Sequence, residues 1–119
     1  DGSSTYFLTR LIGRRRAMEL YLTNRVLTSK EALEWGLVNQ VVDQKDLTST
    51  VKSLAQKLSN GPTRAYGGIK KMLMYTSNDS LESQMELETR KISEMAMSED
   101  RKEGITAFIE KRKPNFTGK

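Results

Sequence analysis

Phe7, Leu8, Leu11 and Ile12 recur at helical spacing and the pattern stops at Gly13; Ala17, Leu20 and Tyr21 resume it after the basic run Arg14-Arg15-Arg16. This predicts two short helices with a break between them. In the stretch LTSKEALEWGLVNQVV, Thr28 and Glu31 have the spacing of a capping box and Gly36 reads as a helix stop. The β-branched run LVNQVV that follows predicts a short strand. Asp43 then stands where a cap would precede a helix carrying Leu47, Val51, Leu54 and Leu58 on one face, closed by Asn60-Gly61 and followed by Pro62 at the next start. Ala65, Ile69, Met72 and Leu73 keep helical spacing in spite of Gly67-Gly68. That pair costs about 1 to 2 kcal/mol against alanines in a helix interior, so close backbone packing is expected there. Ser80 precedes a helix bearing Leu81, Met85, Ile92 and Met95. Ser98 precedes a last helix with Ile105, Phe108 and Ile109 expected inside and Pro114 expected at its end. The tail PNFTGK has too little apolar content for an element of its own. The fold expected is mainly α with one or two short strands.

Composition narrows the chemistry. At 119 residues and 36% hydrophobic, the chain suits a single domain with a modest core. Cysteine and histidine are both absent, which excludes disulfides, thiolate metal sites and imidazole bases, and leaves carboxylates, lysines and tyrosines for acid-base work. No apolar run reaches membrane-span length and the start has no signal-peptide pattern, so a cytoplasmic protein with no membrane partner is expected. The net charge of +5 suits a nucleic acid, an anionic membrane or a phosphate-bearing small molecule. The basic residues are interleaved with acids over most helices rather than gathered on one recognition element, so no nucleic-acid partner is expected.

Two separated segments carry a resemblance. DGSSTYFLTRLIGRRRAMELYLTNRVLTSKEALEWGLVNQVV closely resembles the part of the crotonase superfamily (the enoyl-CoA hydratase and isomerase family) that follows the active-site strand. There a glycine-rich turn leads to a Gly-Arg/Lys-x-x-Ala-x-Glu helix, a Leu-Thr turn and an Ala-x-x-x-Gly-Leu-Val unit. EDRKEGITAFIEKRKPNFTGK resembles the terminal helix and tail of the same family, with Lys102 where the family often has Arg. The resemblance implies the C-terminal part of a β-β-α spiral fold, with residues 1–43 closing the edge of the spiral core and residues 44–119 forming the helical trimerisation region. It also implies that the oxyanion hole, the largest electrostatic contribution to an enolate mechanism, is supplied by upstream strands.

In the family, the turn occupied here by Asp1-Gly2-Ser3-Ser4-Thr5 is commonly Gly-Ala-Gly-Gly in hydratases. It carries a functional Glu or Asp in enoyl-CoA isomerases, in the phenylacetyl-CoA branch and in aryl-CoA dehalogenases. The resemblance therefore implies that Asp1 is catalytic: a carboxylate in a dry pocket can move a proton between carbons, or in a dehalogenase attack as a nucleophile. Read from the residues alone, Asp1-Gly2 is an ordinary turn or cap. By the same motif match, Phe108 and Lys111 fall where family members place a phenylalanine and a lysine against the adenine and phosphate end of coenzyme A, often of a neighbouring subunit. On pattern alone, Phe108 is a core residue and Lys111 a solvated charge. The family implies an acyl-CoA thioester substrate, coenzyme A as part of that substrate with no separate cofactor or metal, and a homo-oligomer, trimer or hexamer. The second reading is a catalytically inactive helical oligomerisation module. Trp35, the six methionines and the arginine run read as structure.

Overall fold

The computed structural model describes residues 2–119. They fall into two compact units, one ending at Leu47 and the other spanning Thr48–Lys119. In the first, helix α1 (Ser4–Thr23) is broken at Gly13, whose backbone (φ 80°, ψ 157°) lies outside the helical region. The break folds the helix back on itself. In a straight helix Ser4 and Tyr21 would stand about 25 Å apart, yet the Tyr21 hydroxyl donates to Ser4 Oγ at 2.7 Å. Ile12 and Ala17, on either side of the bend, are the buried residues of the pair. The two short helices expected around Gly13 are thus present.

Helix α2 (Ser29–Glu34) starts at the expected capping box: Thr28 Oγ1 accepts from the Glu31 N–H at 3.2 Å, and Glu31 Oε2 accepts from the Thr28 N–H at 3.0 Å. These bonds from Thr28 hold the Glu31 carboxyl below its ordinary pKa. Gly36 (φ 74°) ends the helix, with its N–H on Leu33 O and the Leu37 N–H on Ala32 O. Half-buried Trp35 faces two guanidinium groups, Arg16 at 4.8 Å and Arg25 at 5.1 Å from the ring centroid. Arg25 is itself held by Glu19 at 2.7 Å and Glu31 at 3.0 Å.

LVNQVV is not a strand, and no strand occurs among the described residues. The physical reason is that strand backbone needs a neighbour to complete its ladder, and the described residues offer none. The Leu37 and Val38 N–H groups instead turn back to Ala32 O. Asp43 makes no side-chain cap; it precedes a single 3-10 turn, Gln44–Asp46, and lies 3.9 Å from Lys45.

The second unit holds α3 (Leu47–Ser59) except its first residue, and α4 (Thr63–Tyr75), α5 (Leu81–Ala96) and α6 (Glu99–Ile109). Gly61 is buried where the Tyr66 ring lies on the backbone; a Cβ there would come within 2.7 Å of the ring carbons. Helices α4 and α5 form an antiparallel hairpin, tied by Arg64 to Glu94 at 3.4 Å at one end and by Gln84 Nε2 to Met72 O at 3.4 Å at the other. The expected caps of the last two helices are in place, Ser80 accepting from Ser83 N at 3.2 Å and Ser98 from Arg101 N at 3.1 Å.

Two packing expectations and one helix stop fail. A Cβ on Gly67 would meet nothing within 4 Å and one on Gly68 only Lys91 Cδ at 3.8 Å, so no backbone lies against that pair among the described residues. Ile105, Phe108 and Ile109 are exposed rather than inside, Phe108 to 83%; the buried residues of α6 are Asp100 and Ala107. Periodicity marks which face is apolar, while burial needs something to cover it. Nor does Pro114 end α6. The stop is Lys111, in the left-handed region at φ 53°, with its N–H on Phe108 O and the Arg112 N–H on Ala107 O. A side chain in that conformation costs about 1 to 2 kcal/mol, which is why glycine is usual there.

Candidate functional site

The sequence singles out two places, one in each unit. In the first, Asp1 lies outside the described residues. The turn after it is described: Ser3 takes a left-handed backbone (φ 69°, ψ 14°), its carbonyl accepts from the Tyr6 and Phe7 N–H groups, and the next side chain, Ser4, accepts from Tyr21. A non-glycine residue at positive φ is strained and persists where its surroundings hold it.

In the second, α4, α5, α6 and the tail enclose a groove of about 690 Å³. Ile69, Met72, Ile92, Met95, Ile105 and Phe108 supply its apolar surface, and its size and character are those of a small-molecule or peptide groove. The groove brings Phe108 among these side chains, its ring largely open. Lys111 is exposed just past the helix end and does not line the groove.

One wall depends on residues that sequence reading passed over. Asp100, only 6% exposed in the first turn of α6, accepts from the backbone N–H of Thr117 at 2.7 Å and of Gly118 at 2.9 Å, while its own N–H donates to Lys119 O at 3.1 Å. Glu103 accepts from both terminal nitrogens of Arg112, at 2.6 and 2.8 Å, and from the Asn115 N–H at 2.7 Å. The Arg112 fork and the Asn115 N–H pull the Glu103 carboxyl down to about 2. Thus the tail, which forms no regular element, is strapped along α6 and sets Phe116 against Gly104, where a Cβ would lie 3.5 Å from the ring. An acid in a helix's first turn, such as Asp100, usually needs no partner beyond the helix itself, and Glu103 reads as a solvated charge one turn on, so nothing in the sequence marked either as a fastener.

Among the described residues no group of three or more Asp or Glu is placed to hold a metal ion, and no helix is long and apolar enough to cross a membrane.

Residues 1–119 in full match the enoyl-CoA hydratase/isomerase family. The chain is 40% identical to the 1,2-epoxyphenylacetyl-CoA isomerase of Escherichia coli K12 over 119 residues, all of this chain and 45% of that protein. It is 34% identical over the same span to the trans-2-decenoyl-[acyl-carrier-protein] isomerase of Streptococcus mutans, again 45% of that protein. The crystal structure of an enoyl-CoA hydratase from Geobacillus kaustophilus superposes with a TM-score of 0.91 at 38% identity, covering 98% of this chain and 44% of the other. The chain therefore spans less than half the length of these relatives and corresponds to their C-terminal part.

Proposed function

The chain belongs to the enoyl-CoA hydratase/isomerase family and has the helical C-terminal region of the crotonase fold, and from that premise we propose that it serves an enzyme that isomerises an acyl-CoA thioester through an enolate. The observation that carries the reading is the likeness, along the full length of the chain, to a 1,2-epoxyphenylacetyl-CoA isomerase, joined to a carboxylate at the first position of the turn. Backbone N–H groups outside these 119 residues polarise the thioester carbonyl. An α- or γ-proton is lost, the negative charge spreads into the thioester, and Asp1 takes the proton from one carbon and returns it to another. Phe108 packs on the adenine and Lys111 meets a phosphate of coenzyme A, which enters as part of the substrate. The protein works as a trimer or a pair of trimers, so that these two residues serve a neighbouring subunit's site.

The test is turnover of a 3-enoyl-CoA by the polypeptide as its gene expresses it. Asp1→Ala is expected to lower kcat by at least about a hundredfold, the scale of one general acid-base group. Unchanged turnover in that variant rejects the assignment.

A second reading, that the chain acts as a helical assembly module without chemistry of its own, draws on a separate observation. Among the described residues the buried apolar ones number four, Ile12, Ala17, Ala32 and Ala107, while the stripes of α3, α4 and α5 lie open. In the whole protein the two readings are compatible.

A further inference from the structure

Lys111 presents two facts that do not follow from helix stopping. It occupies a left-handed position where glycine is the unstrained choice, and its ammonium makes no hydrogen bond or ion pair among the described residues, although two carboxylates flank the same turn. Both carboxylates are taken by the next residue. Arg112 places its two terminal nitrogens on Glu103 at 2.6 and 2.8 Å and its Nε on Glu110 Oε2 at 2.6 Å. The planar guanidinium is matched to this two-sided grip in a way an ammonium is not. Glu103 is further fixed by the Asn115 N–H, so the clamp is anchored on both sides of the stop.

We infer that Arg112, gripped by Glu103 and Glu110, is a positioning residue: it holds the left-handed turn at Lys111 and keeps both carboxylates from neutralising the Lys111 ammonium, leaving that charge free for an anionic phosphate. The inference rests on the assignment of Lys111 to the phosphate end of coenzyme A and adds to it the device that keeps the lysine available. A cation released from the clamp would leave Glu103 and Glu110 as competing anions beside the phosphate site, weakening phosphate binding without touching the ligand.

Calorimetric titration of the protein as its gene expresses it, with coenzyme A and with 3′-dephospho-coenzyme A, separates the possibilities. The unaltered protein is expected to prefer coenzyme A by about tenfold, the worth of one charge-assisted contact. Lys111→Gln is expected to erase the preference. Arg112→Gln is expected to lose most of it while the affinity for the dephospho compound stays the same. Lys111→Gly, which keeps the clamp and relieves the backbone, is expected to lose the preference with no fall in melting temperature, a pairing that a purely structural lysine would not give. If Arg112→Gln does not fold, Arg112→Lys, whose ammonium lacks the fork that grips both carboxylates at once, leaves one of them free beside Lys111 and is read in the same way. Full preference retained in a folded clamp variant overturns the positioning role alone. No preference in the unaltered protein overturns the assignment of Lys111, and this inference with it.

Discussion

Glu103 shows how a single carboxylate can govern a whole segment. Its folded pKa of about 2 lies below the ordinary 4.5, so the stability it contributes is complete above pH 4.5 and is lost as the pH falls through about 2. Melting temperature followed from pH 5 to 2 is therefore expected to fall more steeply for the unaltered chain than for Glu103→Gln, which carries no charge to lose. Parallel curves would mean that the Arg112 fork does not persist in solution. At this scale the sequence was legible wherever a residue acts on its near neighbours. Thr28, Ser80 and Ser98 cap helices because their hydroxyls need only the N–H three residues on. Asp100 and Glu103 act on residues up to 18 positions away, and no local pattern encodes such a reach.

Among the elements, the helices and their breaks at Gly13 and Gly36 were readable, since the turn chemistry is local. The strand was not: LVNQVV has the residues of a strand, yet a strand is a relation between two segments and the described residues contain only one side of it. The Gly67-Gly68 pair is similar. Its predicted reason, a close backbone neighbour, does not exist within the described residues. In the 119-residue chain, Gly67→Ala is accordingly expected to raise stability by about 1 kcal/mol in urea unfolding, through helix propensity and a less flexible unfolded chain. A loss of stability would show that another backbone covers that face.

At the level of the whole molecule, four buried apolar residues among those described, with open stripes on α3, α4 and α5, make too little interior to satisfy the apolar surface. Periodicity identified those stripes correctly but assigned Ile105, Phe108 and Ile109 to an interior that the described residues do not build. The 119-residue chain alone is expected to associate in sedimentation velocity, with a weight-average mass rising with concentration above 13.5 kDa. A single monomeric species at all concentrations would count against an assembly role. The catalytic question stays with Asp1 and the enoyl-CoA assay, because a shared fold places a site without guaranteeing its chemistry.

Trp35 is the sole tryptophan and lies between Arg16 and Arg25, inside the unit that ends at Leu47. Its emission is thus an optical reporter of that unit alone, whereas far-ultraviolet circular dichroism sums the helices of both. Denaturation curves recorded by the two signals would superimpose only if the units unfold together, so one unlabelled sample can tell whether the chain melts in one step or two.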